Sequence, residues 1–145
     1  MQVLEIGCGV GLGGICAKTY GNAQRVEMVD DDEKLVKVVA KNICDNICFS
    51  THFSLARFTD IQYPHYDTII ALDCIYKGNE KNVANAIVNG LKRKGNAIII
   101  NPNRTGVDTF LYMLMESGEV ISETIKVRYG DDVMELGLYI FTKTN

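Results

Sequence analysis

Apolar positions along the chain form short continuous runs that alternate with stretches of helical period. Val3-Leu4-Glu5-Ile6 is a run of strand formers that stops at glycine, and residues 12–20 follow as a helix. Arg25-Val26-Glu27-Met28-Val29-Asp30 is a second strand. Leu35, Val36, Val38, Val39 and Ile43 then lie on a broad apolar helical face ending near Ile43, with Asp31 or Asp32 placed to cap it. A third strand is expected over 49–55, and a fourth over 68–72 after the turn-forming Tyr63-Pro64-His65-Tyr66-Asp67. The next helix is predicted over 80–93, where Val83, Ile87 and Leu91 fall four apart and Gly95 ends it. Ala97-Ile98-Ile99-Ile100 is apolar on both faces, as a parallel strand buried between two layers requires, and the strand is expected over 96–101. A helix over 107–117 carries Val107, Phe110, Leu111 and Leu114 on one side.

The final third changes period. Ile121, Glu123, Ile125, Val127 and Tyr129 alternate with Ser122, Thr124, Lys126 and Arg128, a strand pattern. Tyr129-Gly130-Asp131-Asp132 is turn chemistry, and 134–142 is a second β-rich run. So short a connection permits only an antiparallel pair. With no repeat and no linker, the pattern predicts one domain over 1–145. Its fold class is α/β: a doubly wound, mostly parallel sheet finished by an antiparallel hairpin.

The candidate chemistry starts at the first strand's exit. Gly7, Gly9 and Gly11 supply backbone able to take positive φ without a Cβ to keep a ligand away. The helix behind them points free N–H groups at the turn. Gly9-x-Gly11-x-x-Gly14 also fits the dinucleotide fingerprint, and Asp30 stands about 20 residues on, where a carboxylate accepts ribose hydroxyls. Asp30 is the functional candidate of the Asp30-Asp31-Asp32 triplet, and the other two read as capping residues. Glu5 argues against a pyrophosphate, which a carboxylate beside the loop would repel; it suits a ligand bearing a cationic or amino group.

Leu4-Glu5-Ile6-Gly7-Cys8-Gly9-Val10-Gly11 resembles motif I of the class I S-adenosylmethionine-dependent methyltransferases, and Val29-Asp30 resembles their second motif. With the terminal hairpin, the resemblance spans the chain and implies the seven-stranded, Rossmann-like methyltransferase topology. It further implies S-adenosylmethionine as cofactor, S-adenosylhomocysteine as product, and no metal. Gly7, Gly9 and Gly11 would pass beneath the methionine part and Asp30 would hold the ribose. Glu5 would sit near the sulfonium and ammonium, with Leu72 also among the cofactor contacts. Phe58 reads either as a border to the adenine or as a core aromatic.

After the fourth strand, Ala71-Leu72-Asp73-Cys74-Ile75-Tyr76 carries an Asp-x-x-Tyr. The Asn/Asp-Pro-Pro-aromatic signature of enzymes that methylate base amines is absent. The segment resembles the seven-β-strand protein-lysine methyltransferases, as does Asn101-Pro102-Asn103-Arg104. The resemblance implies a protein lysine as acceptor, with Asp73 and Tyr76 catalytic; the blander readings are a turn cap for Asp73 and a ring packed on the sheet edge for Tyr76. Methylation of a small amine, and a non-catalytic binding module, are the alternatives. His52 reads as a strand or surface residue, His65 as a loop residue without a role, and Arg104 either as an anchor for the cofactor-side loop or a substrate carboxylate or as a surface ion-pair former. Relatives of this branch carry a segment ahead of motif I, whereas Met1 stands almost at the first strand here. A truncated product, a partner chain covering the cofactor site, or lost catalysis are the expectations this leaves.

Composition narrows the picture modestly. A formal charge of −3 and a pI near 5.3 give no reason to expect nucleic acid as a partner. Lys34, Lys37 and Lys41 read as a solvated face, and Lys92-Arg93-Lys94 as the complement of a helix C-terminus. The five cysteines are scattered, and Cys44-x-x-x-Cys48 lacks partner ligands for zinc. Free thiols in a cytoplasmic, or alternatively nuclear, protein are the expectation. No apolar run is long enough for a membrane span, and no signal peptide precedes the first strand.

Overall fold

The computed structural model describes residues 1–60, 66–102 and 106–144. In chain order the elements are β1 (Gln2–Ile6), α1 (Leu12–Thr19), β2 (Arg25–Asp30), α2 (Leu35–Asp45), β3 (Thr51–Leu55), a 3-10 turn (Phe58–Asp60), β4 (Tyr66–Leu72), α3 (Glu80–Gly90), β5 (Leu91–Pro102), α4 (Val107–Met115), β6 (Gly118–Tyr129) and β7 (Asp132–Lys143). They build one seven-stranded sheet in the order β3-β2-β1-β4-β5-β7-β6. Strands β1 to β5 pair in parallel, and β7 runs antiparallel to both β5 and β6. The predicted α/β sheet with its C-terminal hairpin is the observed one. Strand order reverses between β1 and β4, which opens a crevice at their carboxyl ends where such sheets take ligands.

Strands β1, β2 and β4 are buried on both faces, which is why they are nearly continuously apolar. Strand β5, expected to be the same, is buried on one face only, with Ala97 and Ile99 in the core and Ile98 36% exposed. Leu4, Ile6, Ile69, Ile99 and Phe141 meet Phe110 and Leu114 of α4 and Ile87 of α3 on one face. Val3, Val26, Met28 and Ile70 pack with Val39 of α2 on the other.

Several boundaries differ from expectation. Helix α3 stops at Gly90, and Leu91 already pairs with Tyr66 as the start of β5. Lys92, Arg93 and Lys94 therefore belong to a strand irregularity, not to a helix C-terminus. The next pairing is Thr68 with Asn96, so the intervening residues bulge out opposite Asp67. Lys92 Nζ sits 2.6 Å from Asp67 Oδ1, and Asp67 Oδ2 accepts the Gln2 N–H at 2.7 Å. Those partners, the lysine first, hold the Asp67 carboxyl below its ordinary pKa.

Neither Asp31 nor Asp32 caps α2, which begins behind Lys34 without a side-chain cap. Asp32 instead accepts the Lys34 N–H at 2.9 Å in a turn just ahead of the helix. Val39 is buried, with Leu35 and Ile43 against the same core, while Val36 and Val38 face outward. Phe49 precedes β3 and is exposed. Both hairpin strands are longer than expected, and their turn is Gly130-Asp131, with φ +60° at Gly130. His65, Asn103 and Arg104 lie outside the described residues. Among those described, no helix is long and apolar enough to cross a membrane.

Candidate functional site

The glycine segment leaves β1 as a tight turn, closed by the Gly11 N–H donating to Cys8 O at 2.8 Å. The Cys8 N–H donates to Val29 O at 3.0 Å, which pins the turn to the end of β2. Gly7 has φ +60°, and a Cβ there would fall 2.8 Å from that of Cys74. The turn and the exit of β4 thus pass with no room for a side chain. Gly9 has φ +52° and nothing within 4 Å of where its Cβ would be, so its bare face borders open space.

Behind the turn lies the feature that distinguishes this site. Glu5 is only 2% exposed. Its Oε1 accepts the Gly13 N–H at 3.1 Å and its Oε2 the Gly14 N–H at 2.7 Å. The carboxylate therefore occupies the first-turn donors of α1, the groups a pyrophosphate would use. Gly13 and Gly14 make this approach possible. A Cβ on Gly13 would overlap Glu5 Oε1, and one on Gly14 would lie 2.5 Å from Met28 Sδ. Burial raises the Glu5 pKa to about 7, opposed by the two backbone hydrogen bonds and assisted by the nearby Asp30 charge.

Asp30, at the end of β2, points at the turn: its Oδ2 accepts the Gly9 N–H at 2.9 Å and its Oδ1 the Asp32 N–H at 3.1 Å. Each oxygen retains further acceptor capacity. Asp31 turns out to border the same crevice instead of capping a helix.

The third wall comes from the exit of β4. Asp73 adopts φ +50°, an uncommon backbone state for a residue with a Cβ. Its N–H donates to Ile100 O at 2.7 Å. The Tyr76 hydroxyl donates to Asp73 O at 2.7 Å, closing a small loop. Asn79 then fixes that loop from both sides: its Oδ1 accepts the Tyr76 N–H at 2.8 Å and its Nδ2 donates to Cys74 O at 2.9 Å.

Glu5, Gly7, Gly9, Asp30, Phe58, Leu72, Asp73 and Tyr76 together line one open cleft of about 630 Å³, within the range of ligand sites. Gly11 does not reach it. It sits behind the turn, and a Cβ there would meet Met28 Sδ at 3.0 Å. Phe58 packs against the core, as one of its two readings had it, and also borders the cleft. A smaller lobe of about 280 Å³ continues from Gly7, Asp30 and Phe58 past Arg57 and Asn82. His52 lies on β3, exposed. The sequence reading passed over Asn79; its signal was an asparagine just ahead of a helix start. Burial pushes the thiols of Cys8 and Cys74 up to about 12, so neither is a thiolate nucleophile at neutral pH. All five cysteines are free. No cluster of metal-ligand side chains occurs among the described residues.

The glycine turn, the Asp30 carboxylate and the adjoining lobe meet in one crevice, and Glu5 occupies two of the α1 N–H groups that a phosphate would use. A sequence profile described as lysine methyltransferase matches residues 1–117. The chain belongs to that methyltransferase family. Its fold is that of solved methyltransferases from several bacteria. Precorrin-6y C5,15-methyltransferase from Geobacter metallireducens superposes with a TM-score of 0.81 at 13% identity, over 100% of this chain and 80% of that one. The YcgJ protein of Bacillus subtilis gives 0.80 at 12% identity, over 99% and 92%. An S-adenosylmethionine-dependent methyltransferase, assigned as putative, from Listeria monocytogenes gives 0.78 at 15%, over 99% and 91%. No curated protein is similar enough in sequence to count as a relative. Family membership makes this lysine methyltransferase homologue an S-adenosylmethionine-dependent enzyme.

Proposed function

We propose that this methyltransferase methylates a lysine side chain of a protein. The observation that carries the reading is the position of Asp73 and Tyr76: both stand exposed on the outer lip of the cleft that holds Gly9 and Asp30. A small amine would call for a closed apolar chamber, whereas a lysine tethered to a folded surface must reach in from solvent.

Within this reading Asp30 accepts the ribose hydroxyls, and Gly7 and Gly9 let the backbone lie against the methionine part. Phe58 borders the adenine in the smaller lobe, and Leu72 contacts the nucleoside. Glu5 acts through the loop, by fixing Gly13 and Gly14, and its charge favours a cationic ligand. When bound, the sulfonium supplies an electrophilic methyl group. The chain's own task is to align an amine and deliver it uncharged. With a reference pKa near 10.4, on the order of one lysine in a thousand is neutral at pH 7. Asp73 draws the ammonium in and orients it. Its negative charge alone would raise the amine's pKa, so proton loss requires the opposing positive charge and desolvation on docking. Tyr76 lies one loop away to align the nitrogen lone pair.

The test is incubation of the purified chain with tritium-labelled S-adenosylmethionine and a protein extract. Label in protein, located on lysine by mass spectrometry, is the expected result. Asp73→Asn should lower transfer by at least about 100-fold while calorimetric affinity for S-adenosylhomocysteine stays within about twofold. Label confined to small molecules would overturn the protein substrate. Absence of S-adenosylhomocysteine binding at millimolar ligand would favour a non-catalytic module.

A further inference from the structure

Buried charges in proteins are paired, because an ion taken out of water without a counter-charge is strongly disfavoured. Glu5 departs from that rule. It is almost wholly buried, and its two oxygens are met by the Gly13 and Gly14 N–H groups. The elements around it bring no cation among the described residues. From β2 comes Asp30, a second carboxylate whose charge opposes that of Glu5. The turn after β1 and the exit of β4 bring Cys8 and Cys74, both protonated at neutral pH, and Asp73, another carboxylate. Helix α1 has one cation, Lys18, whose Nζ donates to Ala23 O at 2.8 Å and Gln24 O at 2.9 Å. None of the described residues lining the cleft is basic, and Arg57 belongs to the adjoining lobe, exposed. Yet Glu5 forms part of the cleft wall, together with Gly7 and Leu72. Its charge is left to be balanced from the cleft side.

We propose that Glu5 is the residue by which this site prefers the cationic cofactor over its neutral product, its carboxyl releasing a proton to solvent as the cofactor binds. This role rests on the cofactor placement given above and not on the lysine acceptor. The two ligands differ by one unit of charge: S-adenosylmethionine carries a sulfonium where S-adenosylhomocysteine carries a neutral thioether. An opposite charge close by favours the ionised carboxyl, and a thioether offers no such help. Burial holds Glu5 near half protonation at neutral pH, its pKa raised to about 7. A displacement of about one unit downward on cofactor binding, the low end for a nearby opposite charge, releases about 0.4 of a proton at pH 7. Below about pH 6 the carboxyl stays protonated with either ligand and the preference fades; above about pH 7 it is ionised throughout and the preference is complete. Loss of the methyl group thus removes the counter-charge and loosens the hold on the product. Product inhibition eases as pH rises.

The test is titration calorimetry of the full chain with each ligand between about pH 5.5 and pH 8. The cofactor-to-product affinity ratio should rise at least about fivefold over that range in the unmutated chain and stay within about twofold in Glu5→Gln. Titration of the ligands' own groups is common to both chains and cancels between them. Asp31→Asn, which removes an exposed carboxylate from the same cleft, should keep the rise, since water screens that charge. If Glu5→Gln does not fold, the unmutated chain decides the matter in buffers of different ionisation enthalpy. At about pH 7 the cofactor should release about 0.4 of a proton more than the product. A ratio that ignores pH, equal proton release, or a rise that Glu5→Gln retains overturns the role of Glu5 and leaves the lysine acceptor standing. Binding of neither ligand overturns both.

Discussion

Replacing Glu5 by glutamine gives the sharpest test of how the glycine turn is held. Glu5 titrates near 4.5 when exposed and near 7 in the folded chain, chiefly because burial penalises its charge. Below pH 4.5 it is protonated in both states and contributes no penalty. Between pH 4.5 and 7 the unfolded chain ionises while the folded chain keeps its proton, so stability falls as pH rises. Above pH 7 the penalty is complete, at about 3 kcal/mol for a displacement of this size. Glutamine has the same shape and does not titrate. It leaves either the Gly13 or the Gly14 N–H facing an NH2 group, a loss of about 1–3 kcal/mol that does not depend on pH. The stability difference between the two chains should therefore shift by about 3 kcal/mol in favour of Glu5→Gln from pH 4.5 to pH 8. For a domain of this length that is on the order of 10 °C in relative Tm. Thermal unfolding followed by circular dichroism across that range reads it directly. Stability curves that stay parallel would refute the assignment of a buried, ionising carboxylate beneath α1.

Three further outcomes follow from the same geometry. Asp30→Ala should weaken S-adenosylhomocysteine binding by about 1–3 kcal/mol in calorimetry, through loss of hydrogen bonds to a charged acceptor; unchanged affinity would displace the ribose from β2. Asp73→Gly should abolish transfer yet stabilise the fold by about 1 kcal/mol in urea titration, because glycine relieves the positive φ at that position. Gly14→Ala should destabilise by about 1–3 kcal/mol despite alanine's better helix propensity, since its Cβ would fall against the fully buried Met28. A gain in stability there would mean that the α1–sheet contact is looser than described.

Much of this architecture was legible in the residues themselves. The apolar run Ala97 to Ile100 was legible as a strand, although only Ala97 and Ile99 are buried in it, and the period-2 pattern from Ile121 to Tyr129 announced the hairpin that separates this sheet from a dinucleotide fold. Gly7, Gly9 and Asp30 were placed together by chemistry that the coordinates then show converging. What escaped depended on contacts between distant residues. Lys92 to Lys94 looked like the polar end of a helix because Val83, Ile87 and Leu91 keep its period. Yet Leu91 is held by Tyr66 and Lys92 by Asp67, partners that no local pattern reveals. Glu5 was noted as unsuited to phosphate, but its occupation of the Gly13 and Gly14 donors became visible only once α1 was folded back over β1. The aspartates after β2 misled for a related reason. Capping preference is a statement about side chains near a helix start, and here the chain spends two more residues before turning, which leaves Asp31 along the cleft.

The lacing of Asn79 to both Tyr76 and Cys74 has a consequence for acceptor choice. It makes the Asp73–Tyr76 side of the opening an unyielding jaw, anchored to the head of α3. The facing side is formed by Val10 and Leu12, which are 50% and 64% exposed and reach into solvent from the glycine turn. On the proposed reading, in which Asp73 and Tyr76 receive the acceptor, accommodation of differently shaped acceptors falls to that softer lip, and exchanges at Val10 and Leu12 are where selectivity would be retuned.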